Sequence, residues 1–225
     1  MGAATYDEAM RSYGDPCGVA RALDLVGDRW ALLVVRELLL GPKRFTDVLA
    51  GLPGASPNVL AHRLRALEDA GVLRRRKLEP PAATWVYDLT ERGRELEPVL
   101  LALGRWGSPL PSPPDTEFGV DAMMFALKTL FDSRAAGRLR ARYQMTLGSE
   151  RFRVEIAKGR LDIGRGTSAE VDAVIDTDIP TLRSIVFGRL QLGKAQKQGR
   201  LRIEGDREAA TKLFESFVPV EKSPQ

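Results

Sequence analysis

Between residues 108 and 119 the chain reads SPLPSPPDTEFG, with Pro109, Pro111, Pro113 and Pro114 inside six positions. Proline fixes φ and lacks the backbone N–H, so this stretch can enter neither a helix interior nor a central strand. It reads as a semi-rigid linker. It divides the 225 residues into two segments, each long enough for one small domain. The expected organisation is therefore a domain over 1–107, a linker over 108–118 and a second domain over 119–225. Residues 1–108 carry 15 basic and 14 acidic side chains, and residues 115–225 carry 19 and 16. Neither half is basic on average, so any argument for a polyanionic partner must rest on local charge.

Composition excludes several classes. Cys17 is the one cysteine and His62 the one histidine. No intrachain disulfide can form, cysteine-rich zinc modules are excluded, and metal centres or triads built on several histidines are not expected. No cofactor is expected. Residues beyond the linker contain no histidine or cysteine and no nucleophile spaced beside a base, so an enzyme is the least expected outcome. No uncharged apolar run approaches the ~18 residues of a membrane span. MGAATYDEAM lacks the apolar core of a signal peptide. A cytoplasmic, nucleoid-associated protein is the expectation.

The first half reads mostly helical. VARALDLV, residues 19–26, is apolar at six of eight positions and reads as a mostly buried short helix. Asp28 is the expected cap of a helix over 29–40, which Gly41-Pro42 stops. A short amphipathic segment over 45–52 follows, opened by Thr46 or Asp47, and Pro53-Gly54 makes a turn. Ser56 followed by Pro57 is an N-cap with proline at the first helical position, and the helix it opens runs over 58–70 to Gly71. Val72-Leu73 lead into Arg74, Arg75, Arg76 and Lys77; Pro80-Pro81 turn the chain; TWVYDL returns as a second strand. A last helix is expected over 91–106. Helices, a capped helix, a basic hairpin and a closing helix make a winged helix-turn-helix layout.

On the capped helix, Leu60, Leu64 and Leu67 share one face, and Asn58, His62, Arg65 and Asp69 lie opposite, with Arg63 at the edge. Asparagine can bond adenine in a bidentate manner, and arginine can bond guanine or phosphate. Ser56 and the helix N-terminal amides suit a phosphate, and Thr46 on the preceding segment joins the candidate set. Residues 63–77 hold six basic and two acidic side chains, a local +4 that equals the charge of the whole chain. A run such as RRRK alone is ordinarily a solvated face, and a lone histidine is ordinarily a surface or capping residue. The ordered set of cap, leucine triplet, glycine stop and basic hairpin favours double-stranded DNA as the partner.

These same residues carry a family resemblance. CGVARALDLVGDRWALLVVREL, FTDVLAGL, SPNVLAHRLRALEDAGVLRRR and WVYDLTERGRELEPVLLALGRWG, within residues 15–107, closely resemble HxlR-type transcriptional regulators. The resemblance implies a homodimeric winged-helix DNA-binding protein, with the N-terminal segment and the last helix at the interface. Trp106 and the stripe Leu96, Val99, Leu100 and Leu103 are the interface candidates here, with packing inside the domain as the alternative. Two positions depart from the family pattern. The wing turn LEPPAAT carries no basic residue, which shifts the basic weight to 74–77. Asp28 stands where a small residue is common, and no functional change is expected from it. Cys17 occupies a position that senses oxidants in some members. Arg21 and the helix N-terminus would favour its thiolate and Asp15 would oppose it, and an inert thiol is the alternative.

After the linker, a helix over 121–133 precedes period-2 alternation from Tyr143 to Ile163, then a strand over 171–176, a helix over 179–187 capped by Asp178, a helix near 192–198, a strand over 199–206 and a helix over 207–218. This is an α+β domain with an antiparallel sheet. FRVEIAKGRLDIGRG, VDAVIDTDIPTLRSIVFGRL and GRLRIEGDREAATKLFESF resemble the sterol carrier protein type 2-like fold across about residues 120–218. The resemblance implies an apolar tunnel for a lipid or other hydrophobic small molecule. Phe125, Phe131, Ile156, Phe187, Leu190, Leu192, Phe214 and Phe217 are the candidate lining residues. Each would look the same in a filled core.

The combined expectation is a homodimeric DNA-binding regulator whose second domain senses a hydrophobic effector. The alternatives are a regulator with a purely structural second domain, one switched by Cys17, and a lipid-binding carrier whose helical half only dimerises.

Overall fold

A computed structural model describes residues 12–111 and 116–218. The chain forms two compact units that divide between Glu97 and Pro98.

The first unit is built from α1 (Gly18–Val26), α2 (Ala31–Leu38), α3 (Phe45–Ala50), α4 (Pro57–Asp69), β1 (Leu73–Lys77), β2 (Trp85–Leu89) and α5 (Glu91–Arg94). Val34, Val35, Leu38, Val48, Leu52, Leu60, Leu64, Leu67, Val72, Leu73, Val86 and Leu89 form its core. β1 and β2 pair antiparallel with Arg74 opposite Asp88 and Lys77 opposite Trp85. Lys43 adds a single bridge to β2, its N–H and C=O each bonding Tyr87.

Three expectations for this unit are corrected. α1 forms, but it is not mostly buried: only Val26 is, while Val19, Leu23 and Leu25 are exposed. Asp28 does not cap α2. Trp30 stands at that position with φ 78°, and the Asp28 carboxylate turns to Arg63. The single closing helix is two. α5 ends at Arg94 and α6 (Glu97–Gly107) starts afresh, because Pro98 has no N–H to continue the ladder and its ring crowds the preceding turn.

The second unit contains α6, α7 (Val120–Leu130), α8 (Ser133–Ala136), β3 (Ala141–Leu147), β4 (Glu150–Ala157), β5 (Arg160–Arg165), β6 (Ala173–Thr177), α9 (Ile179–Val186), α10 (Leu192–Lys197), β7 (Leu201–Gly205) and α11 (Arg207–Glu215). The sheet runs β5-β4-β3-β6-β7. Three of its pairs are antiparallel, as the alternation predicts, and β3 with β6 is parallel. Tyr143, Met145, Leu147, Phe152, Val154 and Ile156 turn inward by the period of two, into a core that also buries Met123, Met124 and Leu127 of α7 and Leu213 of α11. Arg165 at the end of β5 bonds both carboxylate oxygens of buried Asp121 on α7, at 3.2 and 2.6 Å, and pairs with Glu150. Burial works against that guanidinium charge, but Asp121 and Glu150 outweigh it and raise the arginine pKa.

Tyr143 gives this unit an alkaline limit. Its hydroxyl donates to the Ala209 carbonyl at 2.8 Å in the core. Burial, and then the charges of Asp172 and Asp206, raise its pKa well above the ordinary 10. The folded protein keeps a proton that the unfolded chain releases above pH 10, so this stabilisation is complete below pH 10 and is lost as pH rises further. Urea unfolding of the second unit is expected to show falling stability from pH 10 to 11. Tyr143→Phe should cost about 1 kcal/mol at pH 7 through the lost hydrogen bond and lose less on going alkaline. Identical pH slopes for the two proteins would refute this assignment.

No helix among the described residues is long and apolar enough to cross a membrane.

Candidate nucleic-acid interface

α4 is set by its own sequence. The Ser56 Oγ accepts the Val59 N–H at 3.3 Å, and Pro57 occupies the first turn, where its missing N–H costs nothing. Leu60, Leu64 and Leu67 are at most 1% exposed and hold the inner face against the core. Asn58, His62 and Arg65 are exposed on the outer face, and Arg65 Nε rests on the Ala61 carbonyl at 3.3 Å. Thr46 is exposed on α3, its hydroxyl donating to Asp47 at 3.3 Å. Asp47, rather than Thr46, reaches back to the N–H of Arg44 and opens α3.

Arg63 departs from this pattern. Its side chain is 12% exposed, and its guanidinium pairs with Asp28 in the loop ahead of α2. It ties α4 to the first helices instead of presenting its donors outward. Asp28, expected to be without consequence, is the other half of that tie.

On the hairpin, Arg74, Arg75 and Lys77 are exposed and Arg76 is half-buried. The Arg75 guanidinium lies 4.8 Å above the Trp85 ring, and its backbone N–H bonds Glu68 at the end of α4 at 3.1 Å. These contacts fix the strand beside the helix. Asp88 on β2 is 3% exposed. Its carboxylate accepts from Arg76 Nε at 2.8 Å and Arg94 Nη2 at 2.9 Å, with Arg74 Nη2 at 3.8 Å. Sequence reasoning passed over Asp88, Arg94 and Trp85. The strand register supplies the missing signal, since Asp88 stands opposite Arg74. The outward surface of α4 and the hairpin offers amide, imidazole and guanidinium donors, as a polyanion with readable edges requires.

Other features lie elsewhere. Beside α1 an open groove of about 600 Å³ is lined by Arg21, Ala22, Leu25, Val72, Arg92 and Leu96 among others. Cys17 at the start of α1 is exposed, with its N–H on Asp15 at 2.8 Å. On α6, Val99, Leu103 and Trp106 are exposed, whereas Leu100 is buried. Of the eight candidate lining residues, Phe125, Ile156, Phe214 and Phe217 are buried, and Phe131, Phe187, Leu190 and Leu192 are half-buried. Phe131 and Phe217 meet at a backbone bridge. Among the described residues no three histidine, cysteine or acidic side chains cluster as metal ligands.

Comparison with known proteins resolves the two segments separately. Residues 25–113 match the HxlR-like helix-turn-helix family, and residues 126–217 match the SCP-2 sterol transfer family. An uncharacterized HTH-type transcriptional regulator of Synechocystis sp. is 40% identical over 95 residues, covering 42% of this chain and 70% of that protein. The HTH-type transcriptional regulator YodB of Bacillus subtilis is 35% identical over 95 residues, 42% of this chain and 85% of its own. The reduced form of YodB superposes with a TM-score of 0.38 at 32% identity, covering 45% of this chain and all of that one. Sterol carrier protein 2 like 2 from Aedes aegypti covers 43% of this chain and 94% of its own, at 22% identity and a TM-score of 0.35.

Proposed function

The chain belongs to the HxlR-like helix-turn-helix family of transcriptional regulators, and from that premise we propose that it works as a homodimer that sets α4 of each copy into successive major grooves of a pseudo-palindromic operator, about 34 Å apart. One observation carries the reading: Asn58, His62 and Arg65 stand exposed on a helix anchored by buried Leu60, Leu64 and Leu67, next to exposed Arg74, Arg75 and Lys77. Asn58 and Arg65 read base edges. Ser56, Thr46, His62 and the hairpin cations hold the backbone. Arg63 supports α4 from behind. The exposed apolar side chains of α1, with Val99, Leu103 and Trp106 of α6, supply the dimer contacts; buried Leu100 serves its own unit.

The SCP-2 segment carries the effector role. A hydrophobic small molecule or lipid bound there changes the spacing of the two reading helices. It shifts the equilibrium only by its differential affinity for the two states. The half-buried Phe131, Phe187, Leu190 and Leu192 are where such a molecule would enter.

The test is a titration against the duplex upstream of the protein's own gene, and then against genomic fragments, at 50 and 200 mM salt. Affinity should fall by about 10³–10⁵ between the two salts if roughly 6–10 phosphates are engaged. Arg65→Ala should weaken binding by about 1–3 kcal/mol. Absence of binding to any fragment at the lower salt overturns the reading and leaves the carrier alternative, for which extracted lipid is the readout.

A further inference from the structure

We propose that Asp88 is a positioning residue that holds Arg74, Arg76 and Arg94 as a three-armed clamp for the phosphate backbone of DNA, and that Arg94, outside the basic strand, is one of its contacts. The inference rests on the DNA-binding reading above.

The argument starts from a carboxylate in the wrong place. A negative charge within a surface meant for a polyanion repels it, and Asp88 sits between the basic strand and α5. The Asp88 side chain is 5% exposed, so water does little to screen or solvate it. Its oxygens are met by three guanidinium groups from two elements: Arg74 and Arg76 on β1 and Arg94 at the end of α5. The side chains of these arginines are 62, 38 and 48% exposed, in that order. Arg76 is held by its inner Nε and Arg94 by one terminal nitrogen, Arg74 is drawn in more loosely at 3.8 Å, and each side chain stays partly wet.

Arginine carries five N–H donors in a planar fork and no acceptor. Arg76 gives Asp88 its Nε–H, which leaves both terminal nitrogens, and Arg94 gives one terminal nitrogen. Each fork therefore keeps the donor pair that a phosphate accepts in a bidentate manner. Three arginines against one aspartate leave the cluster at +2. Free arginines would lose rotamer freedom on meeting DNA; Asp88 fixes Arg76 and Arg94 beforehand by hydrogen bonds and biases Arg74 by charge. α5 is itself placed by Thr90, whose hydroxyl accepts the Gly93 N–H and bonds the Gly71 and Val72 carbonyls, so Arg94 is delivered to the hairpin by rigid backbone.

The sign of one substitution separates positioning from plain charge. Asp88→Asn removes a negative charge and keeps the shape. Electrostatics alone then predicts tighter DNA binding; positioning predicts weaker binding. The experiment is a salt titration of the full chain on the duplex that wild type binds, with Asp88→Asn, Arg94→Ala and Arg65→Ala, each checked for folding by thermal melt. Arg94→Ala should lower the slope of log K against log salt by about 1, the share of one phosphate. Asp88→Asn should bind about tenfold more weakly, with a slope lower by about 1 to 3. A merely structural Asp88 would reduce the active fraction and leave the slope alone.

Wild-type slopes for both Asp88→Asn and Arg94→Ala, beside weakened Arg65→Ala, sink the clamp and spare the DNA-binding reading. No binding by wild type itself sinks that reading. If Asp88→Asn does not fold, half-exposed Arg94 decides the question by its own slope.

Discussion

Glu37→Ala is expected to lower the stability of the first unit by about 1–3 kcal/mol, the cost of taking a hydrogen-bonding partner from buried polar groups. Glu37 is 1% exposed in the last turn of α2. Its carboxylate accepts from Lys43 Nζ at 2.6 Å and from Arg36 Nη2 at 2.8 Å. Lys43 is buried too, and its backbone is the bridge to β2. Truncation takes the carboxylate from a buried ammonium at the junction of α2, the following loop and the hairpin. Arg36, 19% exposed, can turn partly to water; the buried lysine has less freedom to do so.

Gly51 provides an internal check on Glu37→Ala. A Cβ built there would lie 2.0 Å from Glu37 Oε2, so Gly51→Ala should harm the wild type and be far better tolerated once Glu37 is alanine. Urea unfolding of the two single variants and the double measures this. A loss under about 1 kcal/mol for Glu37→Ala would show that the cluster contributes little net stability.

Gly93→Ala is the second large effect. A Cβ at Gly93 would lie 2.0 Å from the Val72 carbonyl oxygen and 3.2 Å from the Leu89 side chain. The nearest atom is backbone, and that carbonyl already accepts from the Thr90 N–H and hydroxyl at 3.1 and 3.0 Å. α5 must move off the hairpin. A loss of about 1–3 kcal/mol or more is expected, with weakened DNA binding because Arg94 moves with α5. Gly107→Ala is the control. It is also helical and meets nothing within 4 Å, so it should be neutral or stabilising by up to about 1 kcal/mol. Equal melting temperatures for Gly93→Ala and wild type would rule out the close packing described.

The outer face of α4 was legible because its signals are local. Ser56-Pro57 marks the start, and the leucines at 60, 64 and 67 choose the inward side, so the polar side follows by geometry. The hairpin was legible from β-branched and aromatic letters beside a basic run. What escaped depends on distance in the chain. Asp28 has the composition of a cap, yet its partner Arg63 is 35 residues on. Asp88 looks like any strand acid until the register puts it opposite Arg74. The exposure of α1 is not legible in VARALDLV, because a largely apolar helix announces a need for cover and does not say which surface supplies it. The break at Pro98 is written in ELEPVL, but apolar periodicity continues on either side of it and masks the break. In the second unit, alternation identifies strands but not neighbours, so the parallel pairing of β3 with β6 was unreadable. Phe125, Ile156, Phe214 and Phe217 carry the same letters in a core as in a pocket, and the structure finds them buried.

The order of the five strands leaves β5 and β7 at the margins. A margin exposes a row of unused N–H and C=O groups, which can template another strand. Both margins are blunted. β5 carries exposed Arg160 and Asp162, and its end is fastened to α7 through Arg165. β7 has only five residues, carries exposed Arg202 and Glu204, and stops at Gly205, whose φ of 87° swings the chain against the Asp172 carbonyl. If a homodimer holds two such sheets at high local concentration, these charges and that abrupt stop oppose their fusion into one. Pairing is then left to the helices, and the sheet is protected from runaway polymerisation.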